Sequence, residues 1–240
     1  MVKMKNVVFT IVFVLIGLVM LFSAYKVIDK HNERIKIKKE ISKVDINNLP
    51  SAKSSEELIK IAKKEYKNDD IVGILKLKGV GIDTFLVQTD DNKYYLNHLI
   101  DKTPNKVGSV FVDYRTKIGE SKQVNIYGHS SGNYDIPFDN LKKYLDKKFY
   151  EENRIITIDT IDGRYTYEIF SVKVTDDEEH LKVKFSNDDD YLKHLKRLKN
   201  NSLYEEDIIL NASDEILVLQ TCIFNNPNGA LLIINYRKVG

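Results

Sequence analysis

Ile155-Ile156-Thr157-Ile158-Asp159-Thr160-Ile161-Asp162-Gly163-Arg164-Tyr165-Thr166-Tyr167-Glu168-Ile169-Phe170-Ser171-Val172-Lys173-Val174 is the run on which the fold turns. Two stretches rich in β-branched and aromatic residues, 155–160 and 165–174, flank Asp162-Gly163. That dipeptide suits a tight hairpin, because glycine tolerates the positive φ the turn demands. In the second stretch Tyr165, Tyr167 and Ile169 alternate with polar residues, the period-two pattern of a strand with one buried face. Working outward, similar apolar runs occur at 71–77 and 84–88, parted by Gly79 and Gly81, and at 110–112 and 124–127. Two more, 215–220 and 230–236, flank Asn225-Asn226-Pro227-Asn228-Gly229, a turn signal. Phe138, Leu141, Leu145 and Phe149 fall three or four apart and predict an amphipathic helix over 137–151; Tyr191, Leu195 and Leu198 predict another short one. Ser54, with Glu57 three residues on, reads as a capping box opening a helix whose stripe is Leu58, Ala62 and Tyr66. Seven to nine short strands with interspersed helices predict a mainly β fold with helical insertions: a closed or nearly closed barrel preceded by an N-terminal helix.

The first residues read differently. Residues 7–22 are apolar except for Thr10 and Gly17, and Ser23, Ala24 and Tyr25 extend the run. About 18 helical residues reach roughly 27 Å, close to the thickness of a bilayer's hydrocarbon core. The core is long for a cleaved signal peptide and no small-x-small site follows it, so an uncleaved single-pass anchor over residues 1–25 is expected. Residues 26–53, rich in Lys, Ile and Asn, read as a stalk, and 54–240 as one domain. Lys3 and Lys5 precede the span, whereas Lys26, Lys30, Arg34, Lys36, Lys38 and Lys39 follow it. Counted literally, those charges put the C-terminal side inside. The N-terminal position of the span and the large domain beyond it point to the opposite orientation, with the domain extracellular.

Composition narrows the chemistry. The chain has 37 basic and 35 acidic residues, mixed along its length, so it lacks the basic stripe of a nucleic-acid binder. A single cysteine excludes an intramolecular disulfide and zinc sites built from paired cysteines. Cys222 ends an apolar strand just before the Asn/Pro/Gly loop, which puts a thiol at a strand mouth. His129 also follows a strand and precedes Ser130-Ser131-Gly132. Thiol catalysis needs a thiolate, a proton donor for the leaving amine and a stabiliser for the oxyanion. Of the other histidines, His31 lies in the stalk, His98 reads as structural, and His180 and His194 sit among charges and read as solvated.

Five segments then match a known pattern in order. Ile71-Val72-Gly73-Ile74-Leu75-Lys76-Leu77 resembles "vvGwIkI", with Ile74 where Trp is usual, and Asp91-Asn92-Lys93-Tyr94-Tyr95-Leu96-Asn97-His98 resembles "DNxYYLxH". Phe111-Val112-Asp113-Tyr114-Arg115 is similar to "FlDYRN", with Thr116 for Asn. Asn125-Ile126-Tyr127-Gly128-His129-Ser130 matches "iYGHN", and Leu217-Val218-Leu219-Gln220-Thr221-Cys222 resembles "LTLSTC". On these segments residues 56–236 resemble the class B sortases, membrane-anchored cysteine transpeptidases of Gram-positive bacteria. The resemblance implies a sortase-type barrel with Cys222 as nucleophile and His129 as proton donor, and no metal or organic cofactor. Its expected partners are surface proteins with a C-terminal sorting signal, cleaved after Thr, and an amine of a peptidoglycan precursor. Asn92, Leu96 and Thr221 become candidate substrate-binding residues by motif match.

One departure concerns arginine. The family carries an Arg at the start of the strand after the cysteine, aimed at the oxyanion or the substrate backbone. This chain has none at 223–236; Ala230 or a neighbour takes the position, and Arg237 is the only later arginine. Arg237 is therefore a candidate catalytic residue, with backbone N–H groups or Asn225 and Asn226 as alternatives. The missing arginine also motivates a sortase-fold binding module with little activity, and a hydrolysing cysteine peptidase is the remaining rival.

Overall fold

The computed structural model describes residues 2–131, 134–223 and 230–240. The chain falls into two units, Met1–Ser42 and Lys43–Gly240. In the first, helix α1 (Val2–Lys43) includes a stretch of mean hydropathy 2.5 with none of its residues buried. It is long and apolar enough to cross a bilayer and is compatible with a membrane anchor.

The second unit opens with a short 3-10 turn, Ile46–Asn48, and helix α2 (Ser55–Glu65). Ser54 Oγ accepts from Glu57 N at 3.2 Å, and Glu57 Oε2 reaches back to Lys53 N at 2.6 Å, so the predicted cap forms with its return bond one residue earlier. Val44, Ile46 and Leu49 pack with Ile59 and Ala62 of α2, which brings the compact unit's edge forward of Ser54.

Eight strands follow among the described residues: β1 (Ile71–Leu77), β2 (Ile82–Val87), β3 (Phe111–Val112), β4 (Gln123–Tyr127), β5 (Ile155–Asp159), β6 (Arg164–Thr175), β7 (Ile216–Cys222) and β8 (Leu231–Lys238). They close into a barrel in the order β1-β2-β3-β4-β7-β8-β6-β5. The β5–β6 hairpin turns at Gly163, whose φ of 143° lies where only glycine is comfortable. Leu75, Val124, Ile126, Ile158, Leu217, Leu219 and Ile234 point into the barrel. Outside, α2 covers Ile71, Ile74 and Phe85, while helix α4 (Asp188–Asn200) covers Ile216, Val218 and Ile233 with Tyr191, Leu195 and Leu198. With both faces covered, β4 is buried at every residue and loses the alternation of a one-sided strand.

Two expectations are corrected. Residues 137–151 are not one helix: a 3-10 helix, Pro137–Leu145, ends at Asp146, whose extended backbone and side chain cap helix α3 (Lys147–Glu152). The buried apolar residues of the 3-10 helix are Phe138, Leu141 and Tyr144, a strict three-residue spacing that matches the 3-10 repeat and leaves Leu145 exposed. His180 and His194 are not solvated; they are 2% and 0% exposed. His194 shares the stripe of Tyr191, Leu195 and Leu198 and so faces the barrel, its charged neighbours lying on the other side of α4. The predicted turn at 225–229 lies outside the described residues.

Candidate active site

Strands β4 and β7 run parallel in a register that pairs Gln123 with Ile216 and Tyr127 with Gln220. The pairing continues past the strand end: Gly128 N donates to Gln220 O at 3.2 Å, and Thr221 Oγ1 donates to Gly128 O at 2.8 Å. Two residues beyond Tyr127 and Gln220, on the same face, come His129 and Cys222. Side chains at i and i+2 share a face, so both project from the outer face, away from the barrel interior held by Ile126 and Leu219. They open onto one cleft of about 280 Å³, lined also by Asn92, Leu96, Phe111, Arg115, Tyr127, Gly128, Leu181, Gln220 and Thr221. Cys222 is exposed.

The Asp91–His98 segment positions the histidine. His129 Nε2 lies 2.9 Å from Leu96 O. A carbonyl only accepts, so Nε2 carries a proton and Nδ1 is the nitrogen left for exchange. Leu96 is fixed from several directions. Asp91 Oδ1 accepts from Lys93 N and Tyr94 N, Tyr95 OH donates to Asp70 Oδ2 at 2.8 Å, and Tyr95 O accepts from Ser109 N at 2.9 Å. Gly108, at φ 60°, passes so close that a Cβ there would sit 2.6 Å from Leu96 O. His98 stacks on Tyr94 with centroids 4.0 Å apart and engages Tyr94 O through Nδ1, the structural role expected of it.

Beneath the cleft runs a buried polar chain. His194 Nε2 meets Gln123 Oε1 at 2.8 Å, and Gln123 Nε2 donates to Asn125 Oδ1 and to His180 O, each at 2.8 Å. Asn125 Nδ2 reaches Tyr127 OH, which donates to Asp113 Oδ2 at 2.7 Å. Arg115 grips Asp113 through Nε at 2.9 Å and Nη2 at 2.6 Å, and Nη2 also donates to Leu181 O. Burial pushes the Asp113 carboxyl up, but hydrogen bonds from Arg115 and Tyr127 outweigh it and hold it below the usual carboxylate range. The same ion pair raises the Arg115 guanidinium above its ordinary value, so the charge is permanent.

The cleft thus gathers five of the six residues read from sequence: His129, Cys222, Asn92, Leu96 and Thr221. Within it, Asn92 Oδ1 accepts from Tyr114 N at 3.0 Å, and Thr221 is buried, its hydroxyl spent on Gly128 O. Arg237 is not brought in. It pairs with Ile216 at the far end of β7, whereas Cys222 pairs with Leu231. Six residues of strand separate the two ends, about 20 Å. Arg237 Nη1 donates to Ile209 O instead. Ala230 sits opposite Ile223, next to the cysteine's partner Leu231 but on the other strand face, its carbonyl accepting from Ile223 N at 3.0 Å, and brings no cation to the thiol. Asn225 and Asn226 lie outside the described residues. Sequence reading missed Arg115, Tyr127, Leu181 and Gln220. Gln220 was recoverable from its i−2 relation to Cys222, and Arg115 lay inside a quoted motif; Leu181 comes from a loop with no periodic signal. Among the described residues no group of three or more His, Cys, Asp or Glu is placed to hold a metal ion.

An eight-stranded barrel with a thiol and an imidazole at adjoining strand ends defines a class, and comparison with known proteins gives it a family. The sortase domain family matches residues 75–237. Sortase B of Staphylococcus aureus is 31% identical over 219 residues, covering 89% of this chain and 88% of that protein. Among solved structures, sortase B from Bacillus anthracis superposes with a TM-score of 0.73 at 28% identity, covering 87% of this chain and 97% of that one. Clostridium perfringens sortase B gives 0.68 at 33% identity, over 74% of this chain and 100% of that one. The chain belongs to the sortase family of cysteine transpeptidases, and its relatives place it with the class B sortases.

Proposed function

We propose that this chain cleaves a C-terminal sorting signal after a threonine and transfers the surface protein to an amine of a peptidoglycan precursor. Cys222 Sγ, as thiolate, attacks the threonine carbonyl. The tetrahedral intermediate collapses to a thioester as the C–N bond breaks, and the departing amine takes a proton from the Nδ1 of protonated His129. The acceptor amine then attacks the thioester, His129 recovers the proton from it, and Cys222 leaves as thiolate. Asn92, Leu96 and Thr221 border the path of the peptide. Residues 1–25 anchor the enzyme by a single pass, residues 26–42 space it from the bilayer, and the catalytic domain works outside the cell. Solved structures of a Staphylococcus aureus sortase B–substrate complex and of Bacillus anthracis sortase B in complex with AAEK1 support a ligand-accepting cleft in this fold.

The observation that carries the reading is the shared cleft of Cys222 and His129 at neighbouring positions of β4 and β7. The test is turnover of a panel of fluorogenic sorting-signal peptides by the full chain in detergent. Turnover abolished by Cys222→Ala and strongly reduced by His129→Ala is the expected result. Addition of an amine nucleophile diverts product to the amide; unchanged hydrolysis product would indicate a peptidase. One observation favours a second reading, a tethered binder of wall or surface polypeptides: neither Leu231, paired with the cysteine, nor its neighbour Ala230 supplies a guanidinium. Binding of the peptides with no turnover of any would select it.

A further inference from the structure

The loop between β6 and α4 is tied down over the cleft at two consecutive residues. His180 O accepts from Gln123 Nε2 and Asn125 Nδ2, and Leu181 O accepts from Arg115. A further tie runs from the ring: His180 Nε2 lies 2.6 Å from Gln220 Oε1. Gln220 is partly exposed, lines the cleft, and occupies the position two before Cys222 on the same strand face.

The orientation of the Gln220 amide follows from what surrounds the imidazole. His180 Nδ1 is buried with no hydrogen-bond partner. Were the ring the Nδ1–H tautomer, an N–H donor would be stranded in the interior, and orphaned buried donors are the rarer and costlier case. The Nε2–H tautomer strands only a lone pair and donates to the glutamine oxygen. Burial lowers the ring's pKa below the usual imidazole range, which keeps it neutral at pH 7. With Oε1 committed to His180, the two N–H bonds of Gln220 Nε2 have no partner among the described residues and are left for the cleft. Two strand residues span about 7 Å, the length of two residues of extended peptide. A substrate with its scissile carbonyl at Cys222 and its upstream residues laid along β7 toward Gln220 carries its next acceptors past that amide.

We propose that Gln220 is a substrate-binding residue whose Nε2 donates to an oxygen of the peptide just upstream of the scissile bond, and that His180 is the positioning residue that fixes this orientation. The inference rests on the transpeptidase reading above for the identity of the peptide. It does not depend on turnover, because binding is measured separately.

The test uses the full chain in detergent and a panel of fluorescein-labelled hexapeptides with threonine at the fourth position and varied residues before it. Dissociation constants are read by anisotropy in the Cys222→Ala background, and kcat and KM in the Cys222-containing protein. Gln220→Glu keeps an acceptor for His180 but turns a second oxygen toward the substrate oxygen. It should weaken binding of the best peptide about tenfold and raise KM alike, with kcat within about threefold. Gln220→Ala and His180→Phe should each weaken binding about fivefold, and adding His180→Phe to Gln220→Ala should cost nothing more, since the histidine acts through the glutamine. Melting temperatures identify any variant that fails to fold; Gln220→Glu, at a partly exposed position, carries the test if His180→Phe does. Unchanged affinity in Gln220→Glu, or full additivity of the two losses, overturns the inference while turnover still supports the enzyme. Absence of both turnover and binding across the panel overturns the transpeptidase reading, and this inference with it.

Discussion

Arg237, Ala230 and Leu231 show what the register of two strands decides for single residues: Ala230 is turned away from Cys222, and Leu231 faces it. Arg237 is the last arginine and the natural heir to a catalytic role in the sequence, yet β8 carries it to the opposite end from Cys222. Arg237→Ala should therefore leave kcat/KM within about twofold, measured with the best fluorogenic peptide; a loss beyond about tenfold would mean the guanidinium reaches the reaction. Leu231, paired with Cys222 on the same face, is where a guanidinium would count. Leu231→Arg should raise kcat by about tenfold or more, because one well-aimed oxyanion donor is worth at least that much. No gain would mean that groups already present stabilise the oxyanion. The nucleophile and its partner were legible as residues, from strand-end placement and from motif resemblance. Their proximity was not, since it depends on a parallel pairing between strands distant along the chain.

At the scale of elements, strand runs were the most legible feature, because β-branched alternation and Asp-Gly turns act locally. All eight strands coincide with apolar runs read from sequence. The helical region at 137–151 departs from the expected α-helix because an apolar stripe with mixed spacings of three and four fits one, while within that stripe only Phe138 and Leu141, three apart, are fully buried. The burial of His180 and His194 was obscured by charged neighbours that occupy other faces. Two elements invite tests. Leu195→Ala in α4 removes a fully buried side chain from the cluster over β7, and should cost about 2–5 kcal/mol in denaturant unfolding. Gly108→Ala, at positive φ and in the path of Leu96 O, should displace the carbonyl that holds His129. It should lower kcat about tenfold with the barrel still folded by circular dichroism; unchanged kcat would remove Leu96 O from the positioning of the imidazole.

For the whole molecule, the buried polar chain beneath the cleft makes stability depend on pH. Burial lowers the His194 pKa to about 4, helped by the Lys182 and Arg197 charges, and lowers that of His180 as well. In the unfolded chain both rings titrate near 6.5. Between about pH 6.5 and 4 the unfolded state therefore binds protons that the folded state does not, and stability falls as pH falls. His194 alone contributes a loss approaching about 3 kcal/mol across that window. Asp159 adds to the decline at lower pH: hydrogen bonds from Arg164, opposed by burial and reinforced by Ser55 and Lys76, hold its carboxyl far below the ordinary range. Its stabilisation is present above the unfolded carboxylate pKa and disappears as pH drops through the folded one. Thermal melts from pH 7.5 to 4.5 should show a steady fall in Tm, with a shallower slope for His194→Gln; equal slopes would mean that His194 is not buried neutral.

Mass spectrometry of the full chain mixed rapidly with a turned-over sorting-signal peptide, in the absence of acceptor amine, reaches the account most directly. A covalent adduct with the mass of the peptide's N-terminal part, cleaved by hydroxylamine and mapped to Cys222, should accumulate in the wild type and be absent in Cys222→Ala. Peptide cleavage that proceeds without an adduct in quenched samples, or an adduct on any other residue, would contradict it.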